Sequence, residues 1–163
     1  MADGFFGGAR FQPAQSFAEA MRRYATGPCV ISTDCGGLRA AATVRAAAPL
    51  SAALHGLILS LGAPPAAFKT LSRASHFCLN VLQPGQNAAA FAAELNDPIC
   101  SYDGEWRDGP YDLPYVATAR LNLFCTMVGW AVLERDALIV GAAFHAVVEE
   151  RSTRLRFAGA VSA

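Results

Sequence analysis

The sequence predicts a mainly β protein, an antiparallel barrel with a few short helices inserted. Three observations carry that prediction. Short runs of β-branched and apolar residues recur from Cys29 to Phe157, punctuated by Gly36-Gly37, Pro64-Pro65 and Glu134-Arg135-Asp136. From Val116 to Leu133 the side chains alternate with period two, and Leu138–Val148 forms a second long run. Helical spacing is confined to short stretches between them.

The first of those stretches runs from about Phe17 to Ala25. Ser16 and Glu19 form a capping box, Phe17, Ala20, Met21 and Tyr24 share one face, and Gly27-Pro28 ends the helix. Residues 1–14 read as a flexible N-terminal arm. Cys29–Thr33 is then a strand, which Gly36-Gly37 turns into a second one over Leu38–Ala47. Gly56–Leu61 is a fully buried strand, and Pro64-Pro65 opens a short helix through Phe68 and Leu71. His76–Leu82 is a strand, and Gln86–Leu95 an alanine-rich helix that turns Phe91 and Leu95 inward. The Asp-Pro, Asp-Gly and Gly-Pro steps of Asn96–Tyr115 define a long loop, of the kind that often carries function. In the strand Val116–Leu133, Thr118, Arg120, Asn122 and Thr126 take one face, and Ala119, Leu121, Leu123 and Cys125 the other. Leu138–Val148 follows, and a last strand lies around Leu155–Phe157.

At 163 residues the chain fits a single domain, which can bury a core without disulfides or metal staples. Hydrophobic residues make up 53% and charged residues 16%, which excludes intrinsic disorder. Basic and acidic residues balance at 13 each with no long run of either sign. Sequence-blind electrostatic binding to nucleic acid or an anionic membrane is therefore not expected. Lys69 is the sole lysine, and with so much alanine the composition fits a GC-rich bacterial genome. Five cysteines, with no C-x-x-C pair and no flanking histidines, argue against a disulfide framework or a metal site. Cys29, Cys78 and Cys125 sit in apolar or alternating runs and read as small buried hydrophobes in a reducing cytoplasm. The N-terminus lacks the basic start and apolar stretch of a signal peptide. The uncharged run Ala46–Phe68 is broken by Pro49, His55, Pro64 and Pro65, so it is a buried strand and a turn, not a membrane span.

Motif chemistry finds no active site. No G-x-G-x-x-G, G-x-x-x-x-G-K, H-E-x-x-H or G-x-S-x-G occurs, and no carboxylate pair has a spacing that suits a two-carboxylate mechanism. His55, His76 and His145 are far apart, each in or beside a predicted strand, where a structural role is the commoner one. No catalytic residue is assigned on this ground.

The order of segments is more telling. Arg23–Gly27 reads R-x-A-T-G, Phe77–Leu82 reads F-x-x-N-V-L with Gln86 following, and Leu138–Gly141 reads L-I-V-G. In that order and spacing they make the chain, from about Phe17 to Gly159, resemble the flavin reductase-like domain family, small proteins that reduce FMN or FAD for two-component monooxygenases. The resemblance implies a split β-barrel of the FMN-binding type, usually a homodimer, with FMN or FAD held at the barrel surface near the subunit interface. It also implies NAD(P)H as hydride donor, a small-molecule substrate and an oxygenase as partner. The missing motifs then make sense, because the hydride chemistry belongs to the flavin while the protein supplies position, hydrogen bonds and exclusion of water.

Carried over position by position, the family's T-x-S-S run, whose hydroxyls and amides approach the flavin, falls on Thr43-Val44-Arg45-Ala46. Thr43 is kept and both serines are gone. The S-V-S and Pro-Pro signature falls on Pro49–His55, where Ser51 survives. The Ser-x-Thr that meets the phosphate falls on Pro65-Ala66-Ala67, or on Lys69-Thr70 with a shifted alignment. The Gly-Asp-His turn becomes Arg135-Asp136-Ala137, and Asn80 lies on the strand that runs close to the flavin in this family. The implied cofactor-binding set is Thr43, Val44, Arg45, Ala46, Ser51, Asn80 and Asp136, with no metal. Within it, Arg45 grips the phosphate in place of the lost hydroxyls, or is a plain exposed strand residue. Trp106 either stacks on a ligand or anchors its loop, and Arg154 and Arg156 either face solvent or reach a partner's pocket. Two functions stay open. One is an NAD(P)H:flavin oxidoreductase. The other is a split barrel that no longer reduces flavin and instead binds or transforms another small apolar molecule, or assists an oxygenase without catalysis.

Overall fold

The structure is a computed structural model, and it describes residues 10–12, 21, 27–51, 55–97, 104–148 and 153–157. Its strands are β1 (Arg10–Gln12), β2 (Cys29–Cys35), β3 (Leu38–Val44), β4 (Ala46–Ser51), β5 (Gly56–Ser60), β6 (His76–Val81), β7 (Trp106–Asp108), β8 (Pro114–Val116), β9 (Leu121–Leu133), β10 (Asp136–Val148) and β11 (Thr153–Phe157). The described helices are α1 (Phe68–Leu71) and α2 (Ala88–Asn96). The helix expected over Phe17–Ala25 lies outside the described residues except for Met21, which is helical and buried in the core. Within the expected N-terminal arm, Arg10–Gln12 form β1, paired in parallel with β11.

The main sheet is hydrogen-bonded in the order β1-β11-β10-β9-β6-β2-β3, and β10 also pairs with β5, which pairs with β4. β3 and β4 are separated by Arg45 alone, yet they lie at opposite ends of this path. Together they act as one strand bent at Arg45, its first half laddered to β2 and its second half to β5. The sheet therefore closes on itself through a covalent seam and not through a ladder. This is a split barrel.

Its stagger is large. Partners followed from Leu138 through Ser60 and Ala46, across Arg45 to Val44, then through Cys29, Val81 and Leu121, return to β10 at Val148, ten residues further along the same strand. Stagger and strand number together set a barrel's tilt and bore. Here the bore is filled by side chains, among them Ile31, Leu57, Leu59, Phe77, Leu123 and Ile139, all fully buried. Two of the sequence segments prove to be one packing contact. A Cβ on Gly141 would stand 2.7 Å from Cε1 of Phe77 and 3.2 Å from Cβ of Cys125, so only glycine lets the Phe77 ring occupy the bore. A second layer covers the outside, where α2 and Trp106 pack on Val30 and Ala41.

Several sequence expectations are corrected. Leu38–Ala47 is not one strand but two, because the chain bends at Arg45. β4 does not read as a strand of its own because it contains Pro49. The proline is tolerated because β4 pairs only with β5 and is an edge strand. Asn96–Tyr115 is not all loop, since β7 and β8 pair within it and Trp106 is opposite Val116. Trp106 is buried and meets Phe91 edge-to-face at 6.2 Å, so it anchors this segment. Val116–Leu133 is likewise broken by a turn between β8 and β9. Asn122 and Thr126, expected on a polar face, are buried.

Candidate functional site

The seam is where the predicted residues converge. Along β3 the side chains alternate, so Ala42 and Val44 face the bore while Ala41 and Thr43 face outward. At Arg45 the backbone N–H donates to the carbonyl of Ser60 at 2.8 Å, which pins the bend to the end of β5. The Arg45 side chain is exposed and lies along Gly62. A Cβ placed on that glycine would sit 3.6 Å from its Cδ and 3.9 Å from its Nη1. Gly62 has φ +71, a left-handed backbone that suits glycine. Among the described residues the Arg45 guanidinium has no hydrogen-bond or ion-pair partner, in contrast to Arg39, which is held by Asp34 at 3.1 Å and Asp108 at 2.6 Å.

Asp136 belongs to the same turn. Ser60 Oγ donates to Asp136 Oδ1 at 2.7 Å, and the Gly62 N–H donates to Ser60 Oγ at 3.4 Å. The N–H of Ala137 donates to the Gly62 carbonyl at 2.8 Å, and that of Leu61 to the Ala137 carbonyl at 2.9 Å. The carboxylate thus fastens the glycine turn beneath Arg45. Thr43 contributes an open backbone edge. Ala41, two residues earlier, exchanges both its N–H and its carbonyl with the Asn96 amide at 2.9 and 2.8 Å, so the edge of β3 facing away from β2 is capped there. Thr43 shares that parity, and its N–H and carbonyl point to the same edge beyond the cap.

The other two predicted residues are placed elsewhere. Ser51 ends β4 opposite Gly56, five residues along the strand from Ala46 and so roughly 17 Å from the seam at ~3.3 Å per residue. Asn80 is fully buried, and its amide is saturated. Nδ2 donates to the Val30 carbonyl and to Ser32 Oγ, both at 3.0 Å. Oδ1 accepts from the Val116 N–H at 2.9 Å and from Asn122 Nδ2 at 2.8 Å. Nothing remains for a ligand, because a buried amide left unpaired costs more than it can contribute elsewhere. Asn80 is corrected from cofactor contact to the bolt joining β2, β6, β8 and β9. Ala137, where the family's histidine is replaced, is fully buried in the core cluster, so a longer side chain there enters the bore.

Burial shifts three thiols and two histidines. Burial pushes the Cys29 thiol up to about 11 and raises Cys78 and Cys125 as well, so the thiols stay protonated. Burial lowers His55 and His76 below the usual imidazole value. Among the described residues no His, Cys, Asp or Glu cluster could hold a metal, and no helix is long and apolar enough to cross a membrane. Arg154 and Arg156 lie on β11, and their side chains fall outside the described residues. Sequence reasoning missed Ser60 and Gly62. A glycine just past a buried strand and before Pro64-Pro65 is the signal that could have found the turn.

A split barrel whose seam presents a cation with no partner among the described residues, over a glycine turn, is the class this geometry defines. The family model for the flavin reductase like domain matches residues 21–159, and the chain belongs to that family. It is 30% identical over 128 residues to the FMN reductase (NADH) RutF of Methylorubrum extorquens, a match covering 77% of this chain and 62% of the relative. The chain thus spans less than two thirds of that relative's length. Among solved structures it is similar to the NADH:FAD oxidoreductase SgcE6 of Streptomyces globisporus, with TM-score 0.64 and 18% identity over 81% of this chain and 83% of that one. It is also similar to the nitrilotriacetate monooxygenase component B homologue of Mycobacterium thermoresistibile, with TM-score 0.64 and 17% identity over 83% and 75% of the two chains. These two likenesses are of fold.

Proposed function

We propose that this chain is a flavin-binding oxidoreductase that uses NAD(P)H to reduce FMN or FAD and supplies a partner monooxygenase. Family membership supports the flavin, and the names of the relatives, FMN reductase (NADH), NADH:FAD oxidoreductase and monooxygenase component B, support the donor and the partner class. The observation that carries the reading is the Arg45 guanidinium, exposed and unpartnered among the described residues, where the barrel closes.

The donor set fits a flavin phosphate. A guanidinium takes phosphate oxygens through two parallel charge-assisted hydrogen bonds, and Gly62 leaves the room that its stem occupies. When bound, the flavin supplies the hydride-accepting ring. The chain's residues bind and orient. Arg45 holds the phosphate, the Thr43 hydroxyl and amide offer neutral hydrogen bonds beside it, and Asp136 keeps the Gly62 turn in place through Ser60. The test is titration of the purified protein into FMN and FAD, read by flavin fluorescence, followed by NADH and NADPH oxidation with excess flavin. Saturable binding with turnover is expected. Absence of both binding and turnover would overturn the proposal.

A second reading is a split barrel that holds a small molecule without reducing flavin. Ala137 favours it, because its buried methyl side chain offers the seam no side-chain proton donor. Flavin binding without turnover would select it.

A further inference from the structure

Phe77 fills the bore, so its neighbours His76 and Cys78 face outward from β6. There the His76 ring stacks on Tyr111, with centroids 4.0 Å apart and planes 9° from parallel. Phe144 on β10 meets both rings edge-on, at 5.8 and 5.6 Å. Nε2 of His76 is sealed from solvent and has no hydrogen-bond partner among the described residues. Tyr111 is 49% exposed, at the tip of the turn Pro110–Asp112. Tyr111 and Asp112 are consecutive non-glycine residues with left-handed backbone, at φ 55 and φ 58. Such a conformation costs free energy and persists only where its surroundings hold it.

The flanks of the turn are held firmly. The Gly109 N–H donates to the Leu113 carbonyl at 2.8 Å, Ser32 Oγ to the Pro114 carbonyl at 2.6 Å, and Arg39 Nη2 to Asp108 Oδ1 at 2.6 Å. The contacts that reach the tip are longer, among them the Leu113 N–H to the Pro110 carbonyl at 3.0 Å and Arg39 Nη2 to the Asp112 carbonyl at 3.4 Å. A neutral imidazole keeps one proton and leaves its other nitrogen bare, so the stack accommodates Nε2. The imidazolium carries an N–H on both nitrogens, and a buried charged donor without an acceptor is strongly disfavoured. Cation–π attraction acts through the ring face and leaves that in-plane N–H unsatisfied. Burial accordingly lowers the His76 pKa below the usual imidazole value.

We propose that the Tyr111–Asp112 tip is a proton-sensitive strap, latched by neutral His76 and released from β6 and β10 when that ring takes up a proton. Release opens Nε2 to water and lets the two left-handed residues relax. The strap is closed above the ordinary imidazole value of 6.5 and opens as the pH falls below it. The other charged or titratable side chains of this layer and its flanks are Asp112 and Tyr111 on the turn, Asp108 on β7, Tyr115 on β8, Asp34 and Arg39 on β2 and β3, Arg73 and Cys78 before and on β6, and His145 on β10. A variant at His76 separates its proton from theirs.

The experiment follows hydrogen exchange of the Leu113 amide at pH 7.5 and 5.5, as protection factors corrected for intrinsic rate, in wild type and His76→Phe. Phenylalanine keeps a ring for Tyr111 and removes the titrating nitrogens. One proton taken up on opening caps the shift toward the open form at about tenfold over this window, so wild-type protection at Leu113 should fall by about threefold to tenfold. The buried Val116 amide, bonded to Asn80 Oδ1 at 2.9 Å, should not follow it, and His76→Phe should show no fall. No fall in wild type, an equal fall at Val116, or the same fall in His76→Phe overturns the inference. Should His76→Phe not fold, the His76 ring is titrated by NMR in wild type and Tyr111→Ala. Its pKa should rise toward the ordinary value in the variant, and an unchanged pKa overturns the strap.

Discussion

At Arg45 the backbone and the side chain do separate work. The N–H pins the seam to Ser60, and the guanidinium has no hydrogen-bond or ion-pair partner among the described residues. Arg45→Ala should therefore keep the fold, because the backbone bond survives, and weaken FMN by about tenfold or more, the effect of an arginine–phosphate contact of about 1.5–3 kcal/mol. An unchanged fluorescence titration would show the arginine to be a bystander. His55 makes a different residue-scale case. It is fully buried with φ 51, and burial lowers its pKa below the ordinary 6.5, as it does for His76. The unfolded chain then binds more protons than the folded one once the pH falls below about 6.5, so stability is full above that value and declines as the pH drops toward the folded values. Thermal melts at pH 7.5 and 5.5 should show the lower Tm at pH 5.5. His55→Asn, which keeps a residue tolerant of left-handed backbone, should shrink the difference. A Tm independent of pH across that window would contradict the assignment.

At the scale of elements, the joint between β6 and β10 is the least forgiving. Phe77 and Gly141 meet inside the bore, and a methyl group on Gly141 would lie within van der Waals overlap of the ring. Overpacking of this kind costs about 1–3 kcal/mol. Gly141→Ala should lower the midpoint of chemical denaturation accordingly, and pairing it with Phe77→Leu should recover part of the loss. If the two changes simply add, the contact is not what makes the glycine necessary. The outer layer uses the complementary device. Asn96 at the end of α2 pairs with both backbone groups of Ala41 and so blunts the open edge of β3.

At the scale of the whole molecule, the far end of the β9–β10 hairpin is incompletely covered. Val128, Trp130, Val132 and Leu133 are 61%, 52%, 44% and 60% exposed, and Trp130 meets Phe68 of α1 edge-to-face at 5.6 Å. Exposed apolar side chains in such number are usual at subunit interfaces. We expect a homodimer in solution that buries this hairpin, with Trp130→Arg shifting it toward monomer. Sedimentation showing wild type as a stable monomer at micromolar concentration would refute this.

The amino-acid sequence by itself determined the longer strands β2, β3, β5, β6, β9 and β10, most of the turns and the buried cysteines, because alternation, glycine and proline act over a few residues. Segment order determined the family, and it brought Thr43, Val44, Arg45, Ala46, Ser51, Asn80 and Asp136 forward as one set. The tertiary structure decided what those residues meet. The barrel closes with a ten-residue stagger at a single residue, a long-range register that no local pattern encodes. That register sets Asp136 against Ser60 and Gly62 under Arg45, and turns Ala137 into the bore. It also buries Asn80 two strands away from the seam, in a network whose partners Val30, Ser32, Val116 and Asn122 come from three separate strands. Pro49 could be recognised as part of a strand only once β4 was seen to lie at an edge, since whether a proline's missing donor matters depends on which neighbour the strand has.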